Sequence, residues 1–341
     1  MWSRAPRFDT SVSHANSGAV RVILLSVAFV PLWASGFLAG KLATQRTDVL
    51  TVLLWRFAIA TVVMGVVALV TRPALPRGRA WLHLVVAALL LQMGQFSGVY
   101  TGLAAGVPAG LSSLVLGMAP LLVGLLTPLL LGDRLGPAPV LGLVLGAAGV
   151  YVVLSDEIGG AVGGAVVFPV LGMVSLTAGT LYQKRFGAGT AISMSVIVQM
   201  VACLLVTLVV MPFSGAAWVP PTLGAWAAIG WLGVFNSAIA FAVMFVLLRR
   251  TGTVHVSALL NLVPATVVLL AVPILGEPLT LQALLGLGIA LVGMYLGLGL
   301  FGRAGRGSPP AASRTPPGPP ATSYHPVPDR PSRPAAGDAG R

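Results

Sequence analysis

The chain has one cysteine, two lysines and eight acidic residues in 341 positions, and each scarcity removes a class of protein. A lone Cys203 excludes a disulfide framework and a thiolate metal cluster; inside an apolar run it is explained by packing. Charged residues make up 8% of the chain against 57% hydrophobic, and the mean hydropathy is +0.95. Residues 20–301 therefore cannot make enough polar surface to dissolve as a globule. The acids Asp9, Asp48, Asp133, Asp156, Glu157, Glu277, Asp329 and Asp338 all fall outside the long apolar runs, so the buried carboxylate relay of an ion pump is missing. No P-loop, G-x-S-x-G or H-E-x-x-H motif occurs. Nucleotide hydrolysis and familiar intramembrane chemistry lose their support, and neither a cofactor nor a metal site is expected. The net charge of +12 does not imply nucleic acid, because the basic residues lie in short connections and in the last forty positions, where a membrane protein needs them for orientation.

What is present is an all-α integral membrane pattern. Spanning a hydrocarbon core about 30 Å thick takes about twenty apolar residues in a helix. Ten runs qualify, at approximately 22–40, 49–70, 81–103, 108–131, 138–155, 163–183, 191–212, 222–248, 254–275 and 280–301. Arg4, Arg7 and Arg21 before the first run give it the look of a signal peptide, but the run is too long for one and further spans follow, so it reads as an uncleaved helix. Connections of a few residues make successive helices antiparallel neighbours and leave no room for a soluble domain. Seventeen Lys and Arg fall on one side, in the N-terminal segment, the connections at 71–80, 132–137, 184–190 and 249–252, and residues 302–341; the other side has Lys41 and Arg46. That bias predicts ten spans with both termini in the cytoplasm. Residues 302–341, with ten prolines, read as a disordered tail, either merely solvated or touching a partner or anionic lipid through its arginines.

The chain also repeats itself. Shifting 111–151 by 144 positions without a gap gives fourteen identities in forty-one pairs, including Pro120 on Pro264, Gly142 on Gly286, Gly149 on Gly293 and Tyr151 on Tyr295. Random matching of so Leu- and Gly-rich a sequence should give roughly half that. Five spans per half is an odd number, so the second half must cross in the opposite sense. The organisation expected is an N-terminal segment 1–20, a five-helix repeat 21–155, an inverted five-helix repeat 162–301, and the tail 302–341. Duplicated halves in an apolar chain point to secondary carriers, whose half-bundles rock about a site at mid-membrane.

The run WASGFLAGKLA at 33–43, WRF at 55–57, and the paired segments 119–153 and 263–296 with their P…LG[DE]xL…G…G spacing resemble the drug/metabolite transporter superfamily, specifically EamA-type carriers. The resemblance covers about 20–301. It implies a ten-helix inverted-repeat bundle in the bacterial inner membrane that moves small metabolites, often outward. Asp133 stands where the first-half corner usually reads Glu, with the charge kept. Cargo does not carry over, because members share the scaffold and differ in what they move.

Polar groups within spans are the candidates for the site. Arg56 is the only charge well inside one; it can hold a cargo carboxylate bidentately, or tie helix ends to carbonyls or to Asp48. Its second-half counterpart at offset 143 is Gln199. Gln92 and Gln95 share a helix face, and Gln92 matches Asn236 at offset 144; these amides either grip a cargo or join helices. Tyr100 lies on the same span. His255 is either a proton carrier or a solvated residue at a helix end, and Asn261 falls three positions before Pro264. Trp33 and Ser35 are candidate cavity walls. Pro120 and Pro264 are candidate hinges. Asp133 and Glu277, at opposite membrane surfaces, either gate or couple ions, or cap the helices that follow them, which is the expectation.

The expectation is a carrier for a small polar organic metabolite, amino-acid-like or drug-like. A non-transporting receptor or assembly factor signalling through the basic tail is the alternative. Deleting residues 305–341 separates the two, since a carrier keeps its transport and a tail-driven signal is lost. Glycine-rich faces can pack within one bundle or between two copies, which leaves a homodimer open.

Overall fold

The computed structural model of the chain describes residues 10–131, 137–155, 162–187 and 191–299. Asp133 and the 302–341 tail lie outside them. In hydrocarbon every backbone N–H and C=O needs an internal partner, so the apolar runs form helices, and there is no strand among the described residues. In chain order these are α1 (Thr10–Thr44), α2 (Val49–Thr71), α3 (Ala80–Ala104), α4 (Ala109–Gly117), α5 (Ala119–Leu131), α6 (Pro137–Ser155), α7 (Val167–Phe186) and α8 (Ile192–Ser214). Then come α9, built from Leu223–Trp231, Leu232–Ile239 and Ala240–Leu260, α10 (Val263–Leu275) and α11 (Leu281–Gly299). Nine described stretches are long and apolar enough to cross a membrane, and the apolar part of α11, Leu281–Gly297, is shorter. The chain is a multi-pass helical membrane protein.

Several boundaries depart from expectation for physical reasons. Helix α1 starts at Thr10 and thus includes part of the segment read as separate, because its hydrogen-bond ladder continues past the end of the apolar run. The fourth span is broken: α4 ends at Gly117 and α5 starts at Ala119. The ninth is broken between Leu260 and Val263. A proline follows each break, Pro120 and Pro264, and a ring without an N–H cannot continue the preceding ladder. Both breaks close the same way, with Met118 N–H on Val115 O (3.1 Å) and Leu262 N–H on Leu259 O (3.0 Å), tightened i→i−3 turns at positions 144 apart. The last piece of α9 is two helices that meet at a kink at Gly252, whose φ of 82° lies in the left-handed region that glycine tolerates, so the eighth and ninth spans, Leu223–Gly252 and His255–Leu275, are separate as expected.

Two helices contain π turns, Leu89–Gly94 in α3 and Leu232–Ile239 in α9. They nearly coincide under the 144 shift. Such turns are rare and gather at functional sites. Around this interior α1 packs on α3, α4, α9 and α10, α2 packs on α8, and α6 packs on α11 more extensively than any other pair.

Candidate functional site

Arg56 sits in the second turn of α2 and is only 1% exposed. Its Nη1 donates to the Tyr100 hydroxyl on α3, and its Nη2 donates to Asn236 Oδ1 on α9 at 3.1 Å. The guanidinium carbon stands 3.6 Å from the centroid of the Phe96 ring and 5.6 Å from that of Tyr100. Rings of this kind offer a cation their negative faces. Arg56 Nε is buried without a partner. Asn236 in turn donates to Trp33 O at 3.3 Å and Leu32 O at 3.5 Å, so one amide ties α2 to α1 through α9. Gly36 makes this approach possible: a Cβ there would lie 2.5 Å from Asn236 Nδ2.

A neutral counterpart lies between α3, α7 and α8. Gln92 Nε2 donates to Gln199 Oε1 (3.3 Å), Gln199 Nε2 donates to Ser195 Oγ (3.0 Å) and Gln183 Oε1 (3.5 Å), and Gln183 Nε2 donates to Ser195 Oγ (3.2 Å). The two centres are built from matched positions. Arg56 of α2 meets Asn236 of α9, while Gln199 of α8 meets Gln92 of α3, each residue bonding to the counterpart of its own counterpart's partner.

The other sequence candidates divide. Ser35 donates to Leu32 O (2.7 Å) and accepts from Trp231 Nε1 (2.8 Å), and Trp33 packs between Phe29 and Phe241 at centroid distances of 5.4 and 5.3 Å. Both therefore flank Asn236. Gln95 is half-buried, and its side chain makes no hydrogen bond among the described residues. The i, i+3 spacing that put it on one face with Gln92 does not hold through the π turn between them. His255 is not simply solvated: half-buried, its Nε2 shares a hydrogen with Ser26 Oγ on α1 at 3.0 Å. Asn261 is half-buried at the α9–α10 break, apart from the Arg56 centre. Pro264 is buried, with a Cβ at Gly117 falling 3.0 Å from its ring, whereas Pro120 is exposed.

Two partner assignments change. Asp48 does not reach Arg56; its Oδ2 accepts from Ala217 N–H at 3.1 Å. Glu277 caps a helix, but a distant one. Its carboxylate accepts from Ala109 N–H (2.8 Å) and Gly110 N–H (3.5 Å) at the start of α4, and Thr280 caps the following helix through Ala283 N–H (3.1 Å). Replacing Glu277→Ala is expected to lower stability by about 1–2 kcal/mol, the worth of a lost cap, read from the thermal midpoint of the purified protein. Sequence reasoning missed Phe96, Gln183, Ser195 and Trp231. The signal for Phe96 was present, since Gln92, Phe96 and Tyr100 recur every fourth residue.

A bundle of nine or ten membrane-crossing helices, with buried polar centres and two proline-broken spans, defines the class: a polytopic helical membrane protein with a polar interior. A model of the EamA-like transporter family matches residues 20–155 and again 163–298. The chain belongs to that family, within the drug/metabolite transporter superfamily, and is a transporter, not an enzyme. It is 29% identical over 272 residues to YvbV of Bacillus subtilis, described as an uncharacterized transporter, covering 78% of this chain and 88% of that one. It is 25% identical over 275 residues to the uncharacterized inner membrane transporter YedA of Escherichia coli K12, covering 79% and 89%. A solved crystal structure shares the fold at a TM-score of 0.61 and 21% identity, covering 84% of this chain and 99% of the other.

Proposed function

We propose that the protein is a secondary carrier that exports a small polar organic metabolite, amino-acid-like or drug-like, across the bacterial inner membrane by alternating access. In this reading its halves, 21–155 and 162–301, are inverted copies and both termini are cytoplasmic. The observation that carries it is the reciprocal pairing. Arg56 with Asn236 and Gln199 with Gln92 exchange under the repeat shift. So do two close glycine contacts: an added Cβ at Gly142 would meet Gly293 O at 2.7 Å, and one at Gly149 would meet Gly286 O at 2.5 Å. A pairing that maps onto itself when the halves are swapped is what a two-fold axis between them produces, and such an axis lies in the membrane plane when each half has five spans.

Trp33, Ser35, Arg56, Gln92, Gln95 and Asn236 are the cargo contacts in this scheme, with His255 and Asn261 toward one end. The breaks before Pro120 and Pro264 are its hinges. Efflux from liposomes preloaded with pooled amino acids and metabolites, with and without a pH gradient, tests it. Release of a defined subset is expected, and its response to the gradient separates proton exchange from facilitated diffusion; folded protein that releases nothing from the pool counts against the carrier. Gln95→Ala is a sharper probe. With no side-chain hydrogen bond to a described residue to lose, it should shift stability by no more than about 0.5 kcal/mol while weakening apparent cargo affinity several-fold. Unchanged transport kinetics would remove Gln95 from the site.

A further inference from the structure

Resting on the carrier reading, we propose that Arg56 is the receptor for a carboxylate, and that the cargo is a monocarboxylate bearing a second hydrogen-bonding group. A guanidinium is a fixed cation with five N–H donors in a planar fork. Two donate here, to a phenol and to an amide, both uncharged acceptors, and the buried Nε–H donates to nothing. Among the described residues no carboxylate lies within ion-pair reach of Arg56, and in the whole sequence no acid falls inside a span. The Phe96 ring face, with its centroid 3.6 Å from the guanidinium carbon, supplies negative potential but no hydrogen-bond acceptor of the carboxylate kind. What the site lacks is a planar anion with two oxygens, which a carboxylate supplies and an amide does not. A single negative charge balances Arg56, whereas a dianion leaves an uncompensated charge among Phe96, Tyr100 and Trp33.

The rest of the cargo is read along α3. Gln92, Phe96 and Tyr100 follow one another along α3, with Gln92 inside the π turn and Phe96 and Tyr100 one α-helical turn apart, about 6 Å along the axis. One end of this row meets the cation and the other meets the Gln92–Gln199–Gln183–Ser195 cluster. The cationic end selects the carboxylate, and the amide end accepts a neutral or protonated polar group. Because Arg56 is 1% exposed, the cargo meets it in a more open state than the one described.

Binding to the full chain purified in detergent, read by thermal shift and tryptophan fluorescence, tests this with matched pairs: isovalerate and isovaleramide, leucine and leucinamide, phenylalanine and phenylalaninamide. At least one acid is expected to bind tighter than its amide by about tenfold or more, the value of a charge-assisted hydrogen bond. Arg56→Gln should erase the preference, and Arg56→Lys, which keeps the charge and loses the fork, should retain part of it. Tyr100→Phe removes a competing acceptor and should tighten carboxylate binding about threefold, where a purely structural arginine would show loss; this variant decides the matter if Arg56→Gln does not fold. Equal binding of acids and amides, an undiminished preference in folded Arg56→Gln, or no carboxylate binding at all overturns the proposal. Carboxylate binding without vesicle transport leaves it standing and removes the carrier reading, while transport of amides alone does the reverse.

Discussion

Gly149→Leu is expected to abolish recovery of folded protein. Helices α6 and α11 approach until glycine backbones touch, and each side of the contact is already occupied. A Cβ at Gly149 would stand 2.5 Å from Gly286 O, 2.8 Å from Ala290 Cβ and 2.9 Å from Ala290 N; one at Gly286 would stand 2.5 Å from Gly149 O. The obstacle is backbone, which cannot rotate aside as a long side chain does. Overpacking in a core typically costs about 1–3 kcal/mol, and a leucine pressed against a carbonyl belongs at the top of that range or beyond it, because the whole helix pair must separate. The control is Gly288→Ala on the partner helix α11, where an added Cβ meets nothing within 4 Å. There alanine should be neutral or stabilising by about 0.5–1 kcal/mol through helix propensity. Size-exclusion profile and thermal midpoint in mild detergent measure both; a monodisperse Gly149→Leu protein with an unchanged midpoint would show that the contact contributes little.

The same glycines show what the sequence could reveal. Gly142 and Gly286, and Gly149 and Gly293, were visible as repeats, because packing this close tolerates only the smallest residue and leaves a mark in composition. Their cross-pairing, 142 with 293 and 149 with 286, was not visible, since a shift aligns equivalent positions and says nothing of which ones touch. Arg56 and Gln199, and Gln92 and Asn236, follow the same pattern: polarity in an apolar run marks each residue and the repeat shift pairs it with its counterpart, while its contact lies with the other pair. Asp48 was the nearest acid to Arg56 along the chain, yet it bonds to Ala217, 169 positions away. Glu277 had the chemistry of a cap, but nearness in sequence assigned it to the next helix when the free N–H groups it serves begin α4. The π turns had no signature. One extra residue in a turn changes neither hydrophobic composition nor apolar run length, and it moves Gln92 and Asn236 relative to their helical neighbours all the same.

The second large effect is expected from Asn236→Asp, which places a carboxylate where the amide oxygen now lies 3.1 Å from Arg56 Nη2. Two terms oppose. The substitution gives up the donations to Trp33 O at 3.3 Å and Leu32 O at 3.5 Å, long contacts worth together about 1 kcal/mol, and sets a charge near those carbonyls. Against this it gives a buried cation a charged partner, and removing one member of such a pair typically costs about 3–5 kcal/mol. The pair wins, so the thermal midpoint should hold or rise. Transport should nonetheless collapse, by about tenfold or more, because the cation that receives the cargo is neutralised from within. Asn236→Leu reverses only the first outcome: it leaves Nη2 without its acceptor and takes the amide's donations from Trp33 O and Leu32 O, so stability should fall by about 1–3 kcal/mol and transport should fall with it. A bare scaffolding role for Arg56 predicts the opposite linkage, in which whatever steadies the arginine preserves transport. An Asn236→Asp protein that is stable and still carries cargo at the wild-type rate would therefore take Arg56 out of the site.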